Sequence, residues 1–213
     1  MPELYVYALA PGRIGGIGIR GITGETLQAI RIGRVAAIVG RVRVVPPPTV
    51  RNLRRHAEVM TALWQRTPAL LPARFGTSAH DLDDLRTMVR PRERTLRRGL
   101  RSVRNRAQMT VRLVTGEQAD MARPAKDQSG TQYMRARQRE RTVPAFEALR
   151  PHVRRWVREE RVEKHQRVAT IYHLVPRAAA EPYRAALERA APQAGLTLMV
   201  SGPFPPYAFA DPW

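Results

Sequence analysis

The chain has 213 residues, 43% of them apolar and 26% charged, and it contains no cysteine. That length allows one large or two small domains with a real core, burying about 70% of the surface of the unfolded chain, and the missing thiols exclude disulfides, thiolate metal sites and cysteine nucleophiles. The formal net charge is +19, and of 37 basic residues only Lys126 and Lys164 are lysines, a balance that attracts polyanions.

The opening Met1-Pro2-Glu3-Leu4 has no positive lead into an apolar stretch, and Gly and Arg interrupt the later apolar runs. Neither a signal peptide nor a membrane span is expected, and a reducing cytoplasm fits the composition. Leu4 to Ala10 is rich in aromatic and branched residues and stops at Pro11-Gly12, which predicts a buried strand closed by a turn. After a Gly-rich stretch, Leu27 to Ile32 and Val35 to Arg43 read as two strands around Gly33, and three prolines at 46–48 end regular structure. Thr49 is placed to cap a helix whose Leu53, Ala57, Met60 and Trp64 share one face and which Pro68 ends. Ala69 to Phe75 is a short apolar strand, and Asp81 caps a further helix that Pro91 kinks or splits on the way to Asn105.

Gln108 to Thr115 alternates like a strand, Ser129 to Glu160 is polar and helix-prone, and Arg167 to Val175 is again strand-like. Arg177 to Ala191 reads as a helix closed by Gly195, with Leu196 to Ser201 as the last strand. With Val162 to Gln166 also extended, the second half runs strand, helix, strand, strand, helix, strand, the order of a ferredoxin-like unit. The expected class is therefore α+β, with an α+β domain over 1–105 and a ferredoxin-like βαββαβ domain over 106–213 that carries a helical insertion and a Pro/aromatic tail.

No residue pattern demands catalysis. Gly16-Ile17-Gly18-Ile19-Arg20-Gly21 has the GxGxxG spacing of a dinucleotide loop, but another glycine and a strand-like run come next, whereas a phosphate cradle must open a helix. A turn is the simpler reading. The histidines at 56, 80, 152, 165 and 173 form no i, i+4 pair for a metal, and Thr77-Ser78-Ala79-His80-Asp81 packs triad residue types too closely in sequence to converge. Nine arginines from Arg86 to Arg106 against the single acid Glu93 point to nucleic acid, an anionic membrane surface or an acidic protein. The apolar spacing of Leu85, Val89, Leu96, Leu100 and Val103 points instead to an ordinary helix with a solvated basic side. Nucleic-acid binding is further weakened because no aromatic residue stands among these arginines to stack on bases.

Two segments fit the bland account less well. In Leu71-Pro72-Ala73-Arg74-Phe75-Gly76-Thr77 an arginine sits among apolar residues and needs polar partners if buried. The tail carries Pro203, Phe204, Pro205, Pro206, Tyr207 and Phe209, a composition biased to polyproline II that suits docking on a partner or folding back on its own domain.

These segments, with Tyr5-Val6-Tyr7-Ala8, Val35-Ala36-Ala37-Ile38-Val39, His56-Ala57-Glu58-Val59 and Ser129 to Arg141, resemble the gas vesicle L/F (GvpL/GvpF) family in order and spacing. Leu71 to Thr77 is similar to that family's LPLRFGT, and Ser201 to Phe209 to its SGPWPPYSF, with Ala73 and Phe204 keeping the apolar character of Leu and Trp. Where the family has Gly then Glu, this chain has Asn105-Arg106-Ala107-Gln108. The resemblance implies two α+β domains, the second a modified ferredoxin fold, with no catalytic residue, cofactor or metal. It also implies a cytoplasmic accessory component that binds the small apolar gas vesicle shell protein (GvpA type), and other accessory gas vesicle proteins, during nucleation or growth. On that reading Arg74, Phe75 and the tail from Pro203 to Phe209 contribute to the contact, and removal of Gly202 to Trp213 is expected to weaken it while sparing the fold.

Overall fold

A computed structural model describes residues 2–12, 15–115, 149, 152–163, 166–193 and 198–210. The chain divides into two compact units, residues 1–106 with 204–213 and residues 107–203. The Pro/aromatic tail thus groups with the first unit, not with the second as the sequence division has it, because Pro205, Pro206 and Phe209 are buried there.

In the first unit, strands β1 (Glu3–Pro11), β2 (Leu27–Ile32) and β3 (Val35–Val42) form a sheet of order β2-β3-β1-β4, with the short β4 (Leu71–Pro72) and β5 (Ser78–Ala79) both pairing with β1. Leu4 to Ala10 are all buried, as a central strand covered on both faces requires, and this explains a continuous apolar run in place of alternation. β1 and β3 run antiparallel and shift register between Val6 and Ala8, so that Tyr7 is the extra residue of a bulge. The β2–β3 turn uses Gly33 at φ +60°, a left-handed conformation that glycine adopts without a Cβ penalty.

Helix α1 (Val50–Arg66) starts where the Thr49 hydroxyl accepts from the Asn52 amide, and its chain leaves the helix at Thr67, before Pro68. Its buried face is His56, Val59, Met60, Leu63 and Trp64. This corrects the expected face: Leu53 is 44% exposed and Ala57 is also exposed, since His56, a polar residue that apolar periodicity passes over, takes the inward position. The strand expected over Ala69 to Phe75 shrinks to Leu71–Pro72, because Pro72 has no N–H to extend a ladder and Arg74 to Thr77 closes a turn with Gly76 at φ +85°. Asp81 caps α2 (Leu82–Val89), accepting from the Asp83 and Asp84 amides. A single 3-10 turn at Arg90–Arg92, containing Pro91, separates it from α3 (Glu93–Val103), which buries Leu96, Leu100 and Val103.

In the second unit, β6 (Arg106–Thr115), β7 (Arg155–Glu163), β8 (Gln166–Pro176) and β9 (Leu198–Phe204) form a four-stranded sheet of order β7-β8-β6-β9. Strands β7 and β8 form an antiparallel hairpin from Arg155↔Leu174 to Glu163↔Gln166. The expected helix over Ser129 to Glu160 is therefore overturned for Arg155 to Glu160, which are strand; the rest of it, the Ser129 to Arg141 resemblance included, lies almost wholly outside the described residues, as does Gly195. A 3-10 turn at Arg177–Ala179 leads into α4 (Ala180–Gln193). His173 on β8 and Tyr183 on α4, both buried, share a hydrogen bond of 2.6 Å, which ties that helix to the sheet. The last strand runs on to Phe204, beyond the expected Ser201, so Pro203 and Phe204 are strand and not polyproline tail.

Candidate partner-binding surface

The first unit gathers an aromatic cluster around β1. Tyr5 and Tyr7 lie with ring centroids 4.8 Å apart, His56 stacks on Tyr7 at 5.8 Å, and Phe75 meets His56 edge-on at 5.4 Å and Tyr5 at 6.1 Å. Such tilted and edge-on contacts add to simple area burial. The polar tips are satisfied in place: the Tyr5 hydroxyl lies 3.2 Å from His56 Nδ1 and accepts from the Gly76 amide at 3.0 Å. Tyr7 donates a short hydrogen bond to Glu25 and accepts from the Ile22 amide, while Glu25 also accepts from the Thr23 amide and hydroxyl.

That network explains Gly21. A Cβ on Gly21 would fall on the Glu25 carboxylate, and one on Gly40 would lie 2.6 Å from the Glu25 side chain. The segment returns through an isolated Arg20–Thr26 bridge into strand β2 and opens no helix; Gly21 makes room for a turn folded over Tyr7, while Gly18 supplies a left-handed φ of +56°.

The ring side chains Tyr5, Tyr7 and His56 are neutral near pH 7. Burial lowers His56 to about 4 and raises Tyr5; Tyr7 is raised mainly by burial and then by its hydrogen bond to Glu25. A general acid or base works best with a pKa near the operating pH, and these groups are moved away from it.

The segment and the tail singled out in sequence converge on this cluster. Arg74 is exposed and Phe75 half-buried, in a turn whose neighbours hold it to β1: Ala73 donates to the Tyr7 carbonyl and the Val6 amide to the Thr77 carbonyl, each at 2.8 Å. The tail's 3-10 turn, Tyr207–Phe209, packs on β4. Pro205, Pro206 and Phe209 are buried, whereas Phe204 and Tyr207 are each 39% exposed. Tyr207 is pushed up to about 12, chiefly by burial and further by Tyr5. Pro203 is exposed and belongs to the second unit. Because Phe209 is 1% exposed, removal of Gly202 to Trp213 would open the first unit and take away the last three residues of β9, contrary to the expectation that it spares the fold. His56 and Glu25 are the residues that sequence reasoning missed; only the inward phase of His56 beside Val59 on α1 carried a signal.

Two antiparallel sheets dressed with helices define a mixed α+β protein whose first unit holds a buried aromatic cluster. The family model for gas vesicle synthesis protein GvpL/GvpF matches residues 3–211, and the chain belongs to that family. It is thus a gas vesicle protein. The crystal structure of the gas vesicle protein GvpF from Anabaena sp. PCC7120 is similar at TM-score 0.79 and 17% identity, covering 99% of this chain and 97% of that one. That of GvpF from Microcystis aeruginosa is similar at TM-score 0.79 and 16% identity, covering 98% and 99%. No curated protein sequence gives a significant match. Among the described residues no helix is long and apolar enough to cross a membrane.

Proposed function

We propose that the protein is a non-catalytic accessory factor of gas vesicle assembly that acts in the cytoplasm, binding the small apolar shell protein during nucleation or growth. Family membership supports the setting. The observation that carries the contact is the anchored tail: Pro205, Pro206 and Phe209 are buried while Phe204 and Tyr207 remain partly exposed, and the turn Tyr207–Phe209 packs on Leu71–Pro72, the start of the segment that carries Arg74 and Phe75. A shell subunit must expose apolar surface to assemble, and a partner covering about 800 Å² per side would hold it back from indiscriminate aggregation. Aromatic rings on a rigid base suit that task, since little side-chain freedom is lost on contact. The second unit reads as a modified ferredoxin-like domain; in support, its strands in chain order stand 2-3-1-4 across the sheet, with a helix between the third and fourth.

The test is co-purification of shell protein with the double variant Phe204→Ala/Tyr207→Ala, whose side chains are not core. Retention should fall at least about tenfold, a loss of about 1.4 kcal/mol; undiminished retention by a folded variant rejects the role of the tail.

A further inference from the structure

The basic helix α3 presents a feature that the apolar contact does not use. At about 100° per residue, Leu96, Leu100 and Val103 occupy one side of α3, and Arg94, Arg97, Arg98 and Arg101 fall in an arc on the opposite side, with Arg90 of the preceding turn continuing the line. Arg90, Arg94, Arg98 and Arg101 are exposed and Arg97 half-exposed. None of these five side chains makes an ion pair or hydrogen bond with a described residue. Each of the other described helices holds one i, i+3 ion pair, Arg55 with Glu58 in α1, Arg86 with Asp83 in α2 and Arg184 with Glu181 in α4, and α3 holds none with a described residue. The one acid of α3, Glu93, is turned away and accepts from the Arg34 amide.

A solvated face needs no such arrangement. Like charges at i, i+3 and i, i+4 destabilise a helix by about 0.2–0.5 kcal/mol per pair, and the stripe holds several such pairs. An opposed row of anions would relieve that repulsion. Successive arginines advance about 5–6 Å along the axis, the rise of three to four residues, which matches carboxylates at i, i+4 on a second helix. Base stacking has no platform here, because no Phe, Tyr or Trp occurs from 76 to 132.

We propose that the Arg90–Arg101 face of α3 docks an acidic helical segment of a protein partner, whose glutamates or aspartates recur every three to four residues. This surface is independent of the tail contact. The probe is a fluorescent Ala-based helical peptide with four Glu at i, i+4 spacing, titrated by anisotropy against the whole protein at about 0.15 M salt, where surface charges are screened beyond about 8 Å. Arg94→Glu/Arg98→Glu/Arg101→Glu should weaken binding at least tenfold. An equal charge change elsewhere on the same unit, Arg43→Glu/Arg51→Glu/Arg54→Glu, should weaken it no more than about twofold, within the change expected from general field alone. If the first triple variant fails to fold by circular dichroism, Arg94→Gln/Arg98→Gln/Arg101→Gln replaces it with the same expectation. Equal losses in both variants, or no binding of the peptide, overturn the proposal. So does a 20-base-pair DNA duplex that displaces the peptide at equal concentration and loses affinity only in the α3 variant, which would make the face a nucleic-acid site.

Discussion

The Tyr5 hydroxyl and His56 Nδ1, 51 residues apart in sequence, meet at 3.2 Å inside the first unit. The imidazole is stacked, buried and neutral, and that fixes the sign of its response to acid. Its folded pKa of about 4 lies below the ordinary 6.5, so between those values the unfolded chain holds more protons than the fold. Stability is therefore complete above about pH 6.5 and is lost as pH falls towards 4, by on the order of 3 kcal/mol at 1.36 kcal/mol per unit. His173 is lowered to about 4 by burial as well and adds a like loss in the second unit. Thermal unfolding at pH 7 and pH 4.5 should show a large fall for the natural chain and a smaller one for His56→Gln or His173→Gln. Identical falls would refute the assignment.

Glu25 holds the Gly-rich turn over Tyr7. Glu25→Ala removes the acceptor of the Tyr7 hydroxyl and of two Thr23 donors. Hydrogen bonds to a charged group contribute about 1.5–3 kcal/mol, and urea unfolding should show a loss in the lower part of that range, with Glu25→Gln less affected. Gly21→Ala should be at least as damaging as Glu25→Ala, because its Cβ would occupy the carboxylate position.

Phe209 and Tyr207 are neighbours in the tail with opposite expected effects. Phe209→Ala empties a fully buried site and should destabilise the first unit by about 3–5 kcal/mol. Tyr207→Ala should change stability by less than about 1.5 kcal/mol while reducing shell-protein retention. The reverse ranking in denaturant melts would contradict the anchoring.

Tyr183→Phe deletes the 2.6 Å partner of His173. The loss of one such hydrogen bond costs about 0.5–1.5 kcal/mol. Amide hydrogen exchange should quicken across α4 and β8; unchanged protection would mean that apolar packing alone seats the helix.

The range of the interactions decides which elements are legible in the sequence. β1 and β3 are legible because Leu4 to Ala10 and Val35 to Val39 are unbroken apolar runs, and α1 because Thr49 and Pro68 mark its ends. Most of β7 is not, since Arg155 to Glu160 is dense in charge and reads as part of a polar helix; its extended form comes from pairing with β8, and charge suits a strand at the edge of a sheet. The aromatic cluster is invisible for another reason: Tyr5, Glu25, His56 and Phe75 share no periodicity, and only the fold brings them together. For the tail, Pro and aromatic residues are equally at home on a partner or on their own domain, so composition leaves open what the burial of Phe209 decides.

The seating of Tyr207–Phe209 on Leu71–Pro72 also sets an order of events during synthesis. The first unit to leave the ribosome is missing residues 204–213, which are translated only after the whole of 107–203, so it stays open until the intervening unit has emerged. Closing so long a loop is slow relative to local pairing. Phe204 and Tyr207 are therefore displayed on a finished base only once translation has passed them, and a nascent chain halted earlier would lack that aromatic face altogether.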